Sequence, residues 1–306
     1  MMSDGANGLS PRGASRRSRI VWIVAGCALA VAVLVTLGRG CRPERERPLT
    51  RVTDADPYYL PSELLDQGAR LESIDSLLQA IECYSRAIEI AGRQGGDRRV
   101  LARGFAARAR VHVKLDLFHR SEPDAREALR IYPTLAGVAP AQVGCTWLDL
   151  ALSCEGLKEL AAADSASDSA LAILSSLTPP DSTLWVGALF ARGRILVLLD
   201  RAAPAETLLT RAVEICDPHF TPKTPERFEG RGFLGWCVQR QGRLEEAEPL
   251  LLRAYAGLAN LLGPEDPRTR RVARHLAELY ERWGKPDLFG HYQTLATPAS
   301  ELEESP

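Results

Sequence analysis

The chain has 306 residues, and its 38 Lys and Arg nearly balance 39 Asp and Glu, for a net charge of −1. That balance removes any global electrostatic case for a nucleic-acid partner. Aromatics make up only 6% of the residues and β-branched runs are few beyond the N-terminus, a composition that favours an all-α protein.

Residues 1–19 are polar and carry Arg12, Arg16, Arg17 and Arg19, so they are expected to form a disordered basic tail. The stretch IVWIVAGCALAVAVLVTL, residues 20–37, holds no charge over 18 positions. As a helix it would reach about 27 Å, enough to cross a bilayer, and it predicts a membrane anchor over 20–38. The alternative is a cleaved secretory signal. Val24-Ala25-Gly26-Cys27 has the residues of a lipobox, but it stands too early in the apolar run. Arg16-Arg17 has the form of a twin-arginine signal, with Arg19 where an apolar residue belongs. Arginines flank the span on both sides, and a short leading tail favours an array outside the cytoplasm. Residues 39–57, with Pro43, Pro48 and Pro57, read as a charged linker.

An array of about six helix pairs is predicted over 58–296, with units at 61–101, 102–143, 144–185, 186–227, 228–269 and 270–296. Its best-defined helix lies in QGRLEEAEPLLLRAYAGLANLLGPEDP, residues 241–267, where Leu244, Ala247, Leu250, Leu251, Ala254 and Leu258 share one face. Gly263-Pro264 and Pro267 are read as its stop. Steps of 42 residues back from Ala254 reach Ala212, Ala170 and Ala128, one of 41 reaches Ala87, and one of 42 forward reaches Ala296. Nineteen residues before each stands Gly68, Ala109, Ala151, Gly193, Gly235 or Ala277; seven before stands Ala80, Ser121, Ala163, Ala205, Ala247 or Phe289. Small residues in phase mean helices that approach closely in a stacked solenoid. Phe289 marks a closing cap, and 297–306 read as an acidic disordered tail.

The pattern Leu64, Gly68, Leu71, Ala80, Tyr84, Ala87 and the run Trp147-x-x-Leu150-Ala151-x-x-Cys154 resemble the tetratricopeptide repeat. With its 42-residue period, QGRLEEAEPLLLRA resembles the repeat of kinesin light chains and bacterial arrays; it departs from them in that their grooves carry asparagines, whereas the asparagines of this chain are only Asn7 and Asn260. The resemblance implies that the first helix of each unit lines a concave groove through its positions 2, 5, 9, 12 and 13. The groove residues would then be Arg103, Arg110, Lys114, Leu148, Phe190, Arg194, Trp236, Arg240, Arg271 and Arg274, together with Leu152, Val197, Leu198 and Arg282. Glu72, Glu155, Glu229, Glu278 and Glu281 oppose the arginines. Phe190 and Trp236 are expected to be exposed anchors, whereas Leu152 and Val197 could equally pack on neighbouring helices. Position 6 reads Asp66, Ala107, Asp149, Ala191, Phe233, His275, which argues against a carboxylate clamp for chaperone tails. The implied partner is a protein offering a peptide or helix with an apolar centre and acidic ends.

No catalytic, cofactor or metal motif stands out. The five histidines are scattered singly, and Asp164 and Asp168 read as a solvated face. Cys83, Cys145, Cys154, Cys216 and Cys237 read as small buried hydrophobes, with a Cys216–Cys237 disulfide open. Cys41 stands where a juxtamembrane cysteine could be acylated. The expected function is a membrane-anchored, non-catalytic interaction scaffold or assembly factor. One alternative is a secreted or lipid-anchored envelope-complex assembly protein. Another is a regulatory companion of a bacterial serine/threonine kinase, because HLAELYERWGKPD, residues 275–287, resembles the closing unit of arrays fused to such kinases.

Overall fold

The computed structural model describes residues 60–93, 96–177, 183–219 and 224–297; the expectations for the N-terminal tail, span and linker and for the acidic tail fall outside these residues. Among the described residues there is no strand, and no helix is long and apolar enough to cross a membrane. Twelve α-helices follow in pairs: α1 (Pro61–Ser73) with α2 (Leu77–Arg93), α3 (Arg98–Lys114) with α4 (Phe118–Ile131), and α5 (Pro140–Gly156) with α6 (Leu160–Ser175). Then come α7 (Thr183–Leu198) with α8 (Ala202–His219), α9 (Pro225–Arg240) with α10 (Leu244–Leu262), and α11 (Pro267–Trp283) with α12 (Pro286–Ala296). Each helix packs on the next, and each first helix also packs on the first helix of the following unit. The first helices therefore form the inner row, and the second helices the outer one.

Helix starts are written in proline. Pro61, Pro140, Pro225, Pro267 and Pro286 open α1, α5, α9, α11 and α12, where the missing N–H costs nothing. Asp97 and Asp266 accept backbone N–H bonds as caps of α3 and α11. This corrects two readings. Pro267 begins a helix, Gly263 having already ended α10. Each first helix after α1 also starts three or four residues ahead of the unit boundary read from the repeat, since its capped first turn precedes the apolar pattern.

The turn inside each pair is the same object six times. Asp75, Asp116, Lys158, Asp200, Gly242 and Gly284 all have left-handed backbone, with φ between 55° and 84°. They recur at the repeat period, and only two of them are glycine. In each turn the next residue's N–H reaches back to a carbonyl of the first helix: Ser76 to Leu71 (2.9 Å), Leu117 to His112 (2.9 Å), Glu159 to Cys154 (2.8 Å), Arg201 to Leu196 (2.8 Å), Arg243 to Val238 (3.3 Å) and Lys285 to Tyr280 (3.0 Å). That is the Schellman closure, which satisfies otherwise orphaned carbonyls.

The three small positions are buried in nearly every unit: Ala87, Ala128, Ala170, Ala212 and Ala254 have no exposed surface, and neither do Ala80, Ser121, Ala163, Ala205 and Ala247. Within a pair, size is complementary. A Cβ built on Gly68 would lie 2.5 Å from the Tyr84 ring, one on Gly193 2.6 Å from Leu209, and one on Gly235 2.8 Å from Leu251. At the same register, units two and three place Ala109 opposite Ala125 and Ala151 opposite Ser167. In units one, four and five the second helix supplies a large side chain and the first supplies glycine, while the closing unit sets Ala277 at the register of Gln293. Ser121, standing where other units have alanine, donates its hydroxyl to the Ala109 carbonyl at 2.9 Å, so its burial leaves no unmet donor.

The last unit closes the core with aromatics. Tyr292 stacks on Tyr280 (5.6 Å between centroids) and meets Tyr255 edge-on at 5.7 Å, while Phe289 packs beside them half-buried. None of the described cysteines is in a disulfide, Cys216 and Cys237 included; Cys83, Cys154, Cys216 and Cys237 are buried and Cys145 partly so.

Lys158 holds the left-handed turn position with a side chain that disfavours it. Lys158→Gly should raise stability by about 0.5–1 kcal/mol, read as an upward shift of the thermal midpoint. A lowered midpoint would show that the turn is not strained by lysine.

Candidate partner-binding groove

The inner face is formed by α1, α3, α5, α7, α9 and α11, and most of its charge is paired across neighbouring units. Arg110 donates Nε and Nη2 to the two carboxylate oxygens of Glu72 at 2.8 and 2.7 Å, and Lys114 reaches Glu72 Oε1 at 2.8 Å. Arg194 donates to Glu155 Oε2 at 3.0 and 2.5 Å. Arg271 pairs with Glu229, Arg240 with Asp200, and Arg103 more loosely with Asp66 at 3.7 Å. Arg282 donates to the Gln239 carbonyl at 2.8 Å, and Arg274 lies exposed on α11. Arg103, Arg110, Arg240 and Arg271, among the arginines predicted to steer an acidic partner, thus already lie against carboxylates of this chain, one unit back. Sequence spacing carries no signal for these pairs, whose members stand 37 to 42 residues apart.

The aromatic prediction divides. Phe190 is 8% exposed and wedges against Gly230, where a Cβ would come within 2.1 Å of its ring, so it is a core side chain rather than an exposed anchor. Val197 is likewise buried, at 1%. Leu148, Leu152 and Leu198 stay half-buried on the inner row. Trp236 is also half-buried and stacks on His275, 4.9 Å between centroids. Burial, which favours the neutral ring, lowers the pKa of that histidine against the pull of Glu278. Phe233, not among the predicted groove residues, is the aromatic about which the charges gather: Arg194 and Arg271 lie over its ring at 5.3 and 5.2 Å. Each guanidinium thereby meets a carboxylate and a π face together.

Asp164 and Asp168 both meet Arg192, at 3.2 and 2.9 Å, and Asp164 also meets Arg201 at 3.1 Å. They serve as ion-pair partners between α6, α7 and the turn after α7. On the outer row Asp124 accepts from Nε and Nη2 of Arg108 at 2.8 and 2.7 Å beside the buried His112.

Where α1, α3 and α5 meet, the groove deepens into a cavity of about 270 Å³. Leu65, Ala69, Ala106, Ala107, Tyr132 and Asp149 contribute to its wall. Asp149 is 8% exposed, and burial pushes its carboxyl up to about 7 against the pull of Arg110. Glu72, on the same face, behaves oppositely. Burial alone would raise it, but Arg110 and Lys114 hold it at about 2.

A repetitive α-solenoid with a polar inner row is the class this geometry defines. Residues 231–288 match the model of the tetratricopeptide-repeat family. Comparison with curated proteins gives no match. Among solved structures, BtubC from P. vanneervenii is similar at 19% identity with a TM-score of 0.56, over 75% of this chain and 94% of that one. RapI is similar at 15% identity with a TM-score of 0.57, over 77% and 73% of the two chains. The TPR-like repeats of a Podosopora anserina chain assigned as a kinesin light chain follow at 14% identity and a TM-score of 0.52, covering 66% and 96%. The described array thus shares the fold of these repeat proteins, and within it residues 231–288 match the tetratricopeptide-repeat model.

The half-buried Glu72 and the buried Asp149 make opposite demands on pH. Glu72 has a folded pKa below its ordinary value, so its contribution is complete above about pH 4.5 and is lost as pH falls toward 2. Asp149 has a folded pKa raised from 3.8 to about 7, so it costs stability increasingly as pH rises between those values. Asp149→Asn should therefore stabilise the chain more at pH 8 than at pH 5, by roughly 1–3 kcal/mol. Glu72→Gln should destabilise it about equally at both, by about 1–2 kcal/mol. Thermal midpoints at the two pH values check both; a gain from Asp149→Asn that is the same at pH 5 and pH 8 would contradict the assignment.

Proposed function

We propose that this chain is an interaction scaffold that holds a peptide or helix of another protein in the groove of its first helices. The observation that carries the reading is the inner row itself. Leu148, Leu152, Leu198 and Trp236 stay half-buried there, between ion pairs that fix the surrounding side chains. Apolar side chains kept partly in water on a rigid concave face favour a contact surface. The paired arginines move the expected partner away from acidic ends, because any partner carboxylate has to compete with Glu72, Glu155, Glu229 and Asp200. A Rap protein complexed with competence and sporulation factor has a similar fold, at 15% identity, a TM-score of 0.54, and cover of 77% of this chain and 67% of that one. It lends support to a binding role.

In this reading the uncharged stretch 20–37 tethers the protein as a single-pass anchor, and the array stands on the extracytoplasmic side. The full chain is then expected in the membrane pellet after a carbonate wash. Recovery of a soluble chain trimmed near residue 27 or 40 would replace the anchor with a cleaved signal.

Trp236 is the groove's partly exposed anchor. Trp236→Ala should weaken capture of the partner found by pull-down with the full chain by about 2 kcal/mol, with helix content kept. Phe190→Ala should instead lower the thermal midpoint, as a core truncation does. Undiminished binding by the Trp236 variant would place the contact elsewhere.

A further inference from the structure

We infer that the cavity between α1, α3 and α5 is a subsite for a cationic side chain, a lysine ammonium or arginine guanidinium carried by the partner segment, with Asp149 as its counter-ion. The inference rests on the groove reading and gives the partner a chemistry at this end of the array.

The donor inventory leads there. Glu72 takes two bonds from Arg110, one from Lys114 and one from the Tyr84 hydroxyl at 3.2 Å, so its acceptors are filled. Arg103 leans toward Asp66. Ser153, one turn along α5, donates to the backbone carbonyl of Asp149 rather than to its carboxylate. Among the described residues no side chain donates to the Asp149 carboxylate, which is more than nine-tenths buried and lines the cavity. A buried carboxylate without a donor is costly, and the cost is relieved when a cation with hydrogens to give comes beside it.

Charge and shape select the same ligand. Facing the cavity or adjoining it are three cations, Arg103, Arg110 and Lys114, and three carboxylates, Asp66, Glu72 and Asp149. The tightest pairs among them all involve Glu72, which leaves Asp149 as the acceptor in want of a partner. An anionic ligand would meet Arg110 and Lys114 already held by Glu72 and Arg103 leaning to Asp66, and would face Asp149 as a like charge. A cation meets a complement. The walls given by Leu65, Ala69, Ala106 and Ala107 suit the methylene stem of lysine or arginine, whose head reaches the polar end at Asp149. About 270 Å³ gives room for one long side chain reaching in from a partner backbone in the groove.

The test uses the full chain and three acetylated, amidated pentapeptides, Ala-Ala-X-Ala-Ala, with arginine, its uncharged isostere citrulline, or glutamate at the centre. Titrations at pH 8, followed by NMR shifts of the alanine resonances at millimolar peptide, should show arginine binding at least tenfold tighter than citrulline and glutamate weakest. Asp149→Asn should erase the difference between arginine and citrulline while keeping the helical spectrum. Ala107→Leu, which narrows the cavity and leaves every charge in place, should weaken the arginine peptide as well. Equal binding of the arginine and citrulline peptides, an arginine preference that survives Asp149→Asn, or no binding by any of the three overturns the subsite. Partner capture keeps the two readings apart. Loss of capture in Trp236→Ala together with full capture in Asp149→Asn keeps the groove and removes the subsite.

Discussion

The array rests on how closely the two helices of a pair can approach. Gly68, Gly193 and Gly235 each leave the space that Tyr84, Leu209 and Leu251 fill, and one added carbon would stand 2.5 to 2.8 Å from them. Interiors packed to this density do not absorb a methyl group without moving. Because neighbouring units share their helix contacts, the spacing within one pair sets the spacing of the next. The alanines Ala128, Ala170, Ala212 and Ala254, all without exposed surface, carry that spacing along the second helices. The inner row inherits its regularity from the same packing.

That regularity fixes the electrostatics of the groove. Stacked first helices bring residues about one repeat apart side by side, so Arg110 finds Glu72, Arg194 finds Glu155 and Arg271 finds Glu229. Half-buried guanidiniums of this kind contribute less as net stabilisation than as fixed geometry, since desolvation offsets much of their attraction. The result is an inner surface that has largely satisfied itself. Its departures from that rule are local: the half-buried apolar row through Trp236, and the Asp149 carboxylate without a donor at the first three units.

The fold was legible in the sequence because steric exclusion acts on residue size, and size recurs in phase. The same logic covers the cap at Phe289. The groove was less legible. Phe190 and Val197 hold inner-row positions of first helices, yet those helices also pack on one another, so a face shared by groove and neighbour buries some of its members. Gly230 opposite Phe190 is the trace that could have shown it, because a glycine inside a helix there marks a bulky neighbour. The arginine pairs left no local mark, their partners being most of a repeat away. The turns hid for a different reason: Asp75, Asp116, Lys158 and Asp200 hold a left-handed position that glycine would announce, and only Gly242 and Gly284 did so.

The claim that size complementarity within a pair sets the array is tested most directly by a double-mutant cycle on Gly193 and Leu209, measured as unfolding free energies of the full chain. Gly193→Ala alone should cost about 1–3 kcal/mol through overpacking, and Leu209→Ala alone about 2–5 kcal/mol through its cavity. Combined, they reproduce the Ala109 and Ala125 arrangement of the second unit. The double variant should therefore be more stable than the sum of the two losses by at least about 1 kcal/mol. Strict additivity would mean that the two positions do not meet as described, and that the spacing of the array is set elsewhere.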